Sequence, residues 1–371
     1  MKIVVAPASF KGSYPAAEVA TMMMRSILSA APAADVVTMP VSDGGEGFAD
    51  CFLSRYGGVK VVVEAENPHG VSFPSYYALL PDGTAVVELA AAAGLHLAGE
   101  RPDPSTATTQ GVGTLIRAAV ERGVRQIVVG LGGSSTNDAG CGLASALGVR
   151  FLDREGNAFV PVGRTLSAIA EIDRSGIPEK LRGIPVRIAC DVTNPLSGPA
   201  GAACVYARQK GADDAMIALL DSELSAYSTF LAERFDFDCG FPGAGAAGGA
   251  TVALRLFLDA EIERGIDTVL DMLDFDEAVR GAAFVFTGEG RLDRQSLAGK
   301  AVEGVARRAL ACGVPCIAFA GRITGLLPCE YPPGLVEAIA LSGSEVSLTA
   351  AIATTQKRLD GAVARFIEKH R

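Results

Sequence analysis

Histidine is almost missing from this chain, with three among 371 residues. His69 sits between Pro68 and Gly70 as a turn residue, His96 lies in a Leu-His-Leu alternation, and His370 is the penultimate residue. None has a partner at metal-ligand spacing, which argues against a His-based zinc site, a Ser-His-Asp hydrolase and imidazole acid–base chemistry. Tryptophan is absent and aromatics make up 6%, so the 49% hydrophobic content is aliphatic. Such a composition suits buried parallel strands and Ala-rich helices. A basic excess is lacking too: 33 Lys+Arg face 42 Asp+Glu, a net charge of −9, the wrong sign for a nucleic-acid partner. No apolar run approaches the roughly 20 residues of a membrane span, and the opening MKIVVAPASFKGS turns polar too early for a signal peptide. The eight cysteines are scattered without a CxxC pair, and Cys190 and Cys316 fall in apolar runs where Cys acts as a small hydrophobe. The expectation is a reduced cytoplasmic enzyme that works with carboxylates, Lys, Arg and backbone amides.

What is present has an α/β rhythm. A strand at 2–6 leads to a helix over Pro15–Ala30, a strand at Val36–Met39, and a helix near Phe48–Tyr56. Between Val59 and Glu88, alternating runs are split by the turn signals Asn67-Pro68-His69-Gly70 and Pro81-Asp82-Gly83, which predicts antiparallel strands. A helix near Val112–Arg122, strands at Gln126–Val129 and Val186–Cys190, and helices at Asp213–Arg234 and Thr251–Glu263 follow. From Ala282 the α/β alternation returns, with strands at Ala283–Phe286, Pro315–Ala318 and Glu337–Leu341 and helices at Lys300–Ala311 and Ser347–Lys369. We therefore expect two domains. A discontinuous flavodoxin/Rossmann-like parallel-sheet domain, 1–60 plus 275–371, is interrupted by an inserted mixed α/β domain, 61–274, with the active site in the cleft between them.

Open α/β sheets bind ligands beyond the carboxyl ends of their strands, and the predicted strand exits here are heavily loaded. Ser9, Lys11 and Ser13 follow the first strand, and Asp43-Gly44-Gly45-Glu46-Gly47 follows the second. Thr287-Gly288-Glu289-Gly290-Arg291-Leu292-Asp293 and Gly299-Lys300 follow the strand at Ala283–Phe286. The middle section adds Gly132–Asp138, Asp191–Pro195 and Pro242–Gly249. Glycines let backbone amides approach phosphate oxygens, Lys and Arg neutralise anions, and a few aspartates suffice for Mg²⁺ or for a base. These parts fit phosphoryl transfer. Blander readings stay open: Ser134 or Ser135 as a helix cap, and Asp43 and Asp191 as turn residues. Gly243, Gly245 and Gly248 also match GxGxxG, the dinucleotide fingerprint, but Phe235–Gly240 before them is too polar and broken for the strand that motif needs. The Walker A motif fails because Arg294 stands where its first glycine belongs.

Taken together, seven motifs in one order resemble the type-1 glycerate kinase family over essentially the whole chain. They are APASFKGS at Ala6–Ser13, DGGEG at Asp43–Gly47, GGSSTND at Gly132–Asp138, CDVTNPL at Cys190–Leu196, QKGA at Gln209–Ala212, PGAGAAGG at Pro242–Gly249 and TGEGRLDRQSLAGK at Thr287–Lys300. Ser42, Phe48 and Arg208 depart from the family pattern, and Arg208 brings a new charge beside the QKGA run. The resemblance implies a two-domain α/β kinase that phosphorylates D-glycerate with ATP and Mg²⁺ to give 2-phosphoglycerate. The same kinase forming 3-phosphoglycerate is an alternative, and a nicotinamide-dependent hydroxy-acid oxidoreductase or a catalytically silent sensor lies further off. In the kinase reading, Asp191 or else Asp293 accepts the hydroxyl proton, while Lys11, Arg291, Ser134 and Ser135 cradle the carboxylate. Ser9, Asn137 and Asn194 contribute to substrate binding. Gly243, Gly245, Gly288, Glu289, Gly290 and Lys300 meet the ATP phosphates, and Asp43 or Asp293 holds the metal.

Overall fold

The computed structural model describes residues 1–370 apart from 43, 46, 295, 297–299 and 344. The chain makes two compact units: Met1–Asp43, Asp50–Tyr56 and Gly265–Arg371 form one, and Gly44–Ala49 with Gly57–Arg264 form the other. The first passage lays down β1 (Lys2–Val5), α1 (Ala16–Ala30), β2 (Asp35–Thr38) and α2 (Phe48–Tyr56). The middle passage begins with β3 (Val59–Glu66), β4 (Ser72–Leu79), β5 (Thr84–Glu88), α3 (Ala90–Ala93), α4 (Gln110–Glu121), β6 (Gln126–Gly130) and α5 (Cys141–Ala146). It continues with β7 (Arg150–Leu152), β8 (Ala158–Phe159), β9 (Glu171–Asp173), β10 (Val186–Ala189), α6 (Asp214–Phe235), α7 (Ala250–Leu258) and β11 (Glu261–Glu263). The return passage adds α8 (Gly265–Met272), α9 (Phe275–Val279), β12 (Phe284–Leu292) and α10 (Ala301–Ala311). It ends with β13 (Cys316–Ile323), β14 (Leu335–Ala340), α11 (Leu348–Ala353) and α12 (Thr355–Lys369).

The discontinuous unit is a five-stranded sheet in the order β14-β13-β12-β1-β2, parallel throughout. Counted within the unit, this is the flavodoxin-like order 2-1-3-4-5, whose switch point lies between β1 and β12. Helices cover both faces, so the central strands can be apolar on both sides, and Ile3, Val4 and Val5 are fully buried. On one face, Val19, Met23 and Ile27 of α1 share a core with Leu359, Val363 and Phe366 of α12. On the other, α10 buries Val302, Val305 and Ala309.

The inserted unit has a six-stranded sheet in the order β11-β10-β6-β5-β4-β3. β11, β10, β6 and β5 run parallel, whereas β4 and β3 are antiparallel. A small antiparallel sheet, β8-β7-β9, accompanies it. The Asp213 carboxylate caps α6 by accepting from the Met216 amide. Among the described residues, no helix is long and apolar enough to cross a membrane.

A parallel α/β unit interrupted by a mixed one is the expected fold class, but several elements differ from expectation. β12 does not stop at Phe286: it runs through the glycine-rich motif to Leu292, because Thr287–Leu292 pairs with β13. The helix expected over Thr251–Glu263 ends at Leu258, and Glu261–Glu263 pairs with β10 instead. The helix expected over Ser347–Lys369 is two helices, broken at Thr354, whose φ of −110° and ψ of 6° leave the helical region. By compactness, 44–49 and 57–60 go with the inserted unit and 265–274 with the discontinuous one. β3 pairs from Val59 onward with β4, while α8 packs against α10.

Candidate active site

The carboxyl ends of β1, β12, β13 and β14 border a cavity of about 440 Å³, at the switch point where such sheets take ligands. Ser9, Lys11 and Ser13 reach it from the loop after β1, and Glu289, Gly290 and Arg291 from β12 itself. Asp293, Ser296 and Lys300 follow β12, and Arg322 enters from the end of β13. Leu341, Leu348 and Ile352 supply an apolar wall. Gly288 and Gly290 therefore belong to a β-ladder, not to the strand-exit loop the sequence suggested. A Cβ at Gly288 would lie 2.1 Å from the Phe319 carbonyl oxygen, so this glycine lets β12 and β13 close on each other.

Charges of both signs meet in this cavity. Arg291 Nη2 lies 2.9 Å from Asp293 Oδ2, and the Asp293 turn is held by the Ser296 amide donating to Oδ1 at 3.2 Å. Burial pushes the Glu289 carboxyl up to about 7, against the opposing influence of a Ser296 hydrogen bond, Lys300 and Lys11. Glu289 Oε1 is buried and has no hydrogen-bond partner among the described residues. A carboxyl poised near neutrality beside several cations is a recognised mark of functional sites.

In the inserted unit the other motifs pack against each other. Asp191 follows β10 through Cys190, and a Cβ at Gly44 would lie 2.8 Å from the Ala189 carbonyl oxygen, which brings Gly44 against the end of β10. At Gly248, where φ is +67°, a Cβ would meet the Thr136 carbonyl oxygen at 2.1 Å. Lys210 of the QKGA run is 2% exposed. Its Nζ donates to Ser134 Oγ at 2.8 Å and to the Thr136 carbonyl at 2.7 Å. Burial lowers this ammonium to about 7, with Asp138 opposing. Asp138 is itself fully buried. Burial raises its carboxyl, and four donors oppose that: Thr109 N and Oγ1 at 2.8 Å, Gly140 N at 3.1 Å and Gly142 N at 3.2 Å.

Residues 3–370 match the sequence profile of the Glycerate kinase family. The chain belongs to the glycerate kinase family. It is an enzyme, a kinase, and its family implies a nucleotide substrate. It is 41% identical over 338 residues to a glycerate kinase of Bacillus subtilis, spanning 90% of this chain and 88% of the relative. It is also 41% identical over 327 residues to a protein of Escherichia coli named glycerate 2-kinase, spanning 87% and 86%. A crystal structure assigned to glycerate kinase 2 of Salmonella typhimurium superposes with a TM-score of 0.87 at 37% identity, covering 100% of this chain and 99% of that one.

For a member of this kinase family, the expected site residues divide into two groups. Ser9, Lys11, Glu289, Gly290, Arg291, Asp293 and Lys300 share the cavity of the discontinuous unit. Ser134, Ser135, Asn137, Asp191, Asn194, Gly243 and Gly245 lie in the inserted unit. Several of the latter are engaged structurally: Ser135 Oγ donates to the Ala93 carbonyl, and Asn194 bonds the Ala200 carbonyl and the Tyr206 hydroxyl. Gly243 and Gly245 are explained by close packing, since a Cβ would lie 2.9 Å from the Val192 carbonyl oxygen and 2.3 Å from that of Pro195. No strand leads into Gly243–Gly248, as a dinucleotide fingerprint requires. Asn137 is fully buried with neither side-chain amide atom partnered among the described residues. Arg208 reaches Asp214 at the surface. Asp43 lies outside the described residues.

Sequence reasoning gave Lys210, inside the QKGA run, no role of its own and passed over Arg322. The signal for Arg322 was a second Gly-Arg pair, Gly321-Arg322, closing an apolar strand as Gly290-Arg291 does. Among the described residues no group of three or more His, Cys, Asp or Glu could enclose a metal. Mg²⁺ rarely needs such a cage, because one or two carboxylates and the substrate phosphates hold it. The unpartnered Glu289 oxygen and the adjacent Asp293 fit that donor set.

Proposed function

We propose that the protein transfers the terminal phosphoryl group of ATP to the 2-hydroxyl of D-glycerate, giving ADP and 2-phosphoglycerate. The observation that carries this reading is the gathering of Lys11, Arg291 and Lys300 around a cavity at the sheet's switch point. That lining suits anions, in a chain whose relatives are named glycerate kinases and, in one case, glycerate 2-kinase. Phosphoryl transfer asks mainly for positioning and charge stabilisation, so the scarcity of histidine is no obstacle.

In this reading Arg291 and Lys11 hold the glycerate carboxylate, Arg291 with the planar fork that matches two oxygens. Lys300 neutralises the nucleotide phosphates, with Ser9 as a nearby hydroxyl donor. Asp191 accepts the proton of the attacking hydroxyl as the oxygen bonds to phosphorus and ADP leaves. Mg²⁺, when bound, supplies positive charge to the phosphates, and Asp293 with Glu289 would hold it.

The test uses purified protein, ATP, Mg²⁺ and D-glycerate, with enolase as the coupling enzyme and no phosphoglycerate mutase, alongside a separate ADP assay. Enolase consumes only 2-phosphoglycerate, so signal in both assays supports the proposal. ADP formation without enolase signal moves the phosphate to the 3-hydroxyl. Silence in both removes the reading.

A further inference from the structure

We propose that Arg322 and Arg291 form a paired-arginine clamp for the oxyanions of the reaction, carboxylate or phosphate. The two residues are direct register partners on neighbouring parallel strands, Arg291 on β12 opposite Arg322 on β13. Both line the same cavity. Residues in register on adjacent strands share a face of the sheet, so the two side chains leave the same face beside one another. The strands between them are drawn together by a matching pair of glycines, since a Cβ at Gly321 would lie 2.4 Å from the Gly290 carbonyl oxygen.

Two like charges in register repel, and folding alone gives no reason to place them there. Arg291 has Asp293 at 2.9 Å as counter-charge. Arg322 has no ion pair among the described residues: its Nη2 donates to the Val346 carbonyl, and its buried Nε has no partner. An unsatisfied buried N–H of a guanidinium is costly to leave unmade, and an oxyanion between the two arginines would satisfy it while relieving the repulsion. Guanidinium groups match carboxylate and phosphate oxygens two at a time. The clamp rests on the phosphoryl-transfer reading only for the names of its candidate anions, the D-glycerate carboxylate and a nucleotide phosphate.

Calorimetric titration of D-glycerate, ADP and inorganic phosphate into the wild type, Arg322→Gln and Arg322→Lys tests the clamp. Arg322→Gln should weaken at least one of the three by about tenfold or more. Arg322→Lys keeps the charge but loses the fork, and should fall between. Weakening confined to D-glycerate assigns the clamp to the carboxylate, and weakening confined to ADP and phosphate assigns it to the nucleotide. Weakening of all three shows that both anions use it. Ser347→Ala, which removes the cap of α11 near Val346, is the control for loosening of that segment and should bind like the wild type. The clamp is overturned if Arg322→Gln and Arg322→Lys bind all three probes normally, if Ser347→Ala loses as much as Arg322→Gln, or if the wild type binds none of them. Arg322-dependent phosphate binding without ADP formation in the kinase assay would keep the clamp and remove the glycerate kinase reading.

Discussion

Lys210 and Ser134 are 76 residues apart in sequence, yet Lys210 Nζ donates to Ser134 Oγ at 2.8 Å inside the inserted unit. The same amine holds the Thr136 carbonyl. One buried side chain thus fixes two points of the GGSSTND loop, which carries candidate substrate contacts. Replacement by Met keeps the length and removes the donor, leaving two acceptors without a partner. We expect Lys210→Met to lower stability by about 1–3 kcal/mol.

The pH dependence of that variant provides a sharper check. Lys210 falls to about 7 in the folded protein, against about 10.4 in an unfolded chain. Between those values the unfolded state holds more protons, so this residue makes stability rise as pH rises. Below about 7 the full cost of burying the charge is present. Urea titrations from pH 7 to 9 should show a shallower rise for Lys210→Met than for the wild type. Equal slopes would remove Lys210 as the source.

Glu289 has the opposite sign. Its folded carboxyl rises to about 7, above about 4.3 when unfolded, so the folded state holds the extra proton. Its contribution is complete below the unfolded value and is lost as pH climbs through about 7. In metal-free buffer, Glu289→Gln should flatten the decline in stability between pH 5 and 8. A decline as steep as the wild type's would contradict the buried, proton-holding carboxyl.

Asp191 tests the chemistry. Asp191→Asn keeps the shape but cannot accept the hydroxyl proton, and kcat should fall by about 10²-fold or more with the D-glycerate KM little changed. A normal kcat with a raised KM would make Asp191 a binding residue.

Asp138 tests the scaffold beneath the loop. Its carboxylate accepts from Thr109, Gly140 and Gly142, and an amide in its place would turn one acceptor into a donor facing donors. Asp138→Asn should cost about 3 kcal/mol in chemical denaturation. A loss under about 0.5 kcal/mol, the range of ordinary surface substitutions, would show that the four donors do not depend on it.

The alternation of strands and helices around the discontinuous sheet was legible because each element carries its own signal, as in the buried Ile3-Val4-Val5 or the inward face of α1. Thr287–Leu292 was misread because Gly and Glu are depleted in strands, and only pairing with β13 makes this segment one. Glu261–Glu263 looked like the tail of a helix because Glu favours helices, and its partner β10 is remote in sequence. Motif chemistry located Lys11, Arg291 and Lys300, which do share a cavity. Lys210 stayed hidden because lysine is read as a surface residue, and its burial depends on Ser134 and Thr136 far along the chain. Arg322 stayed hidden because a lone Gly-Arg pair says nothing until its register with Arg291 is known.

The placement of β1 beside β12 also bears on how the protein is made. The Thr287 hydroxyl donates to the Ala6 carbonyl across 281 residues of sequence, so β1 must wait for a partner that is synthesised much later. β1 and β2 can pair early, but one flank of β1 stays open until β12 is synthesised. The inserted unit carries its whole sheet within Gly57–Arg264 and can close meanwhile. The discontinuous unit is therefore completed after the one inserted into it, and the open edge of β1 is the nascent chain's point of vulnerability to aggregation.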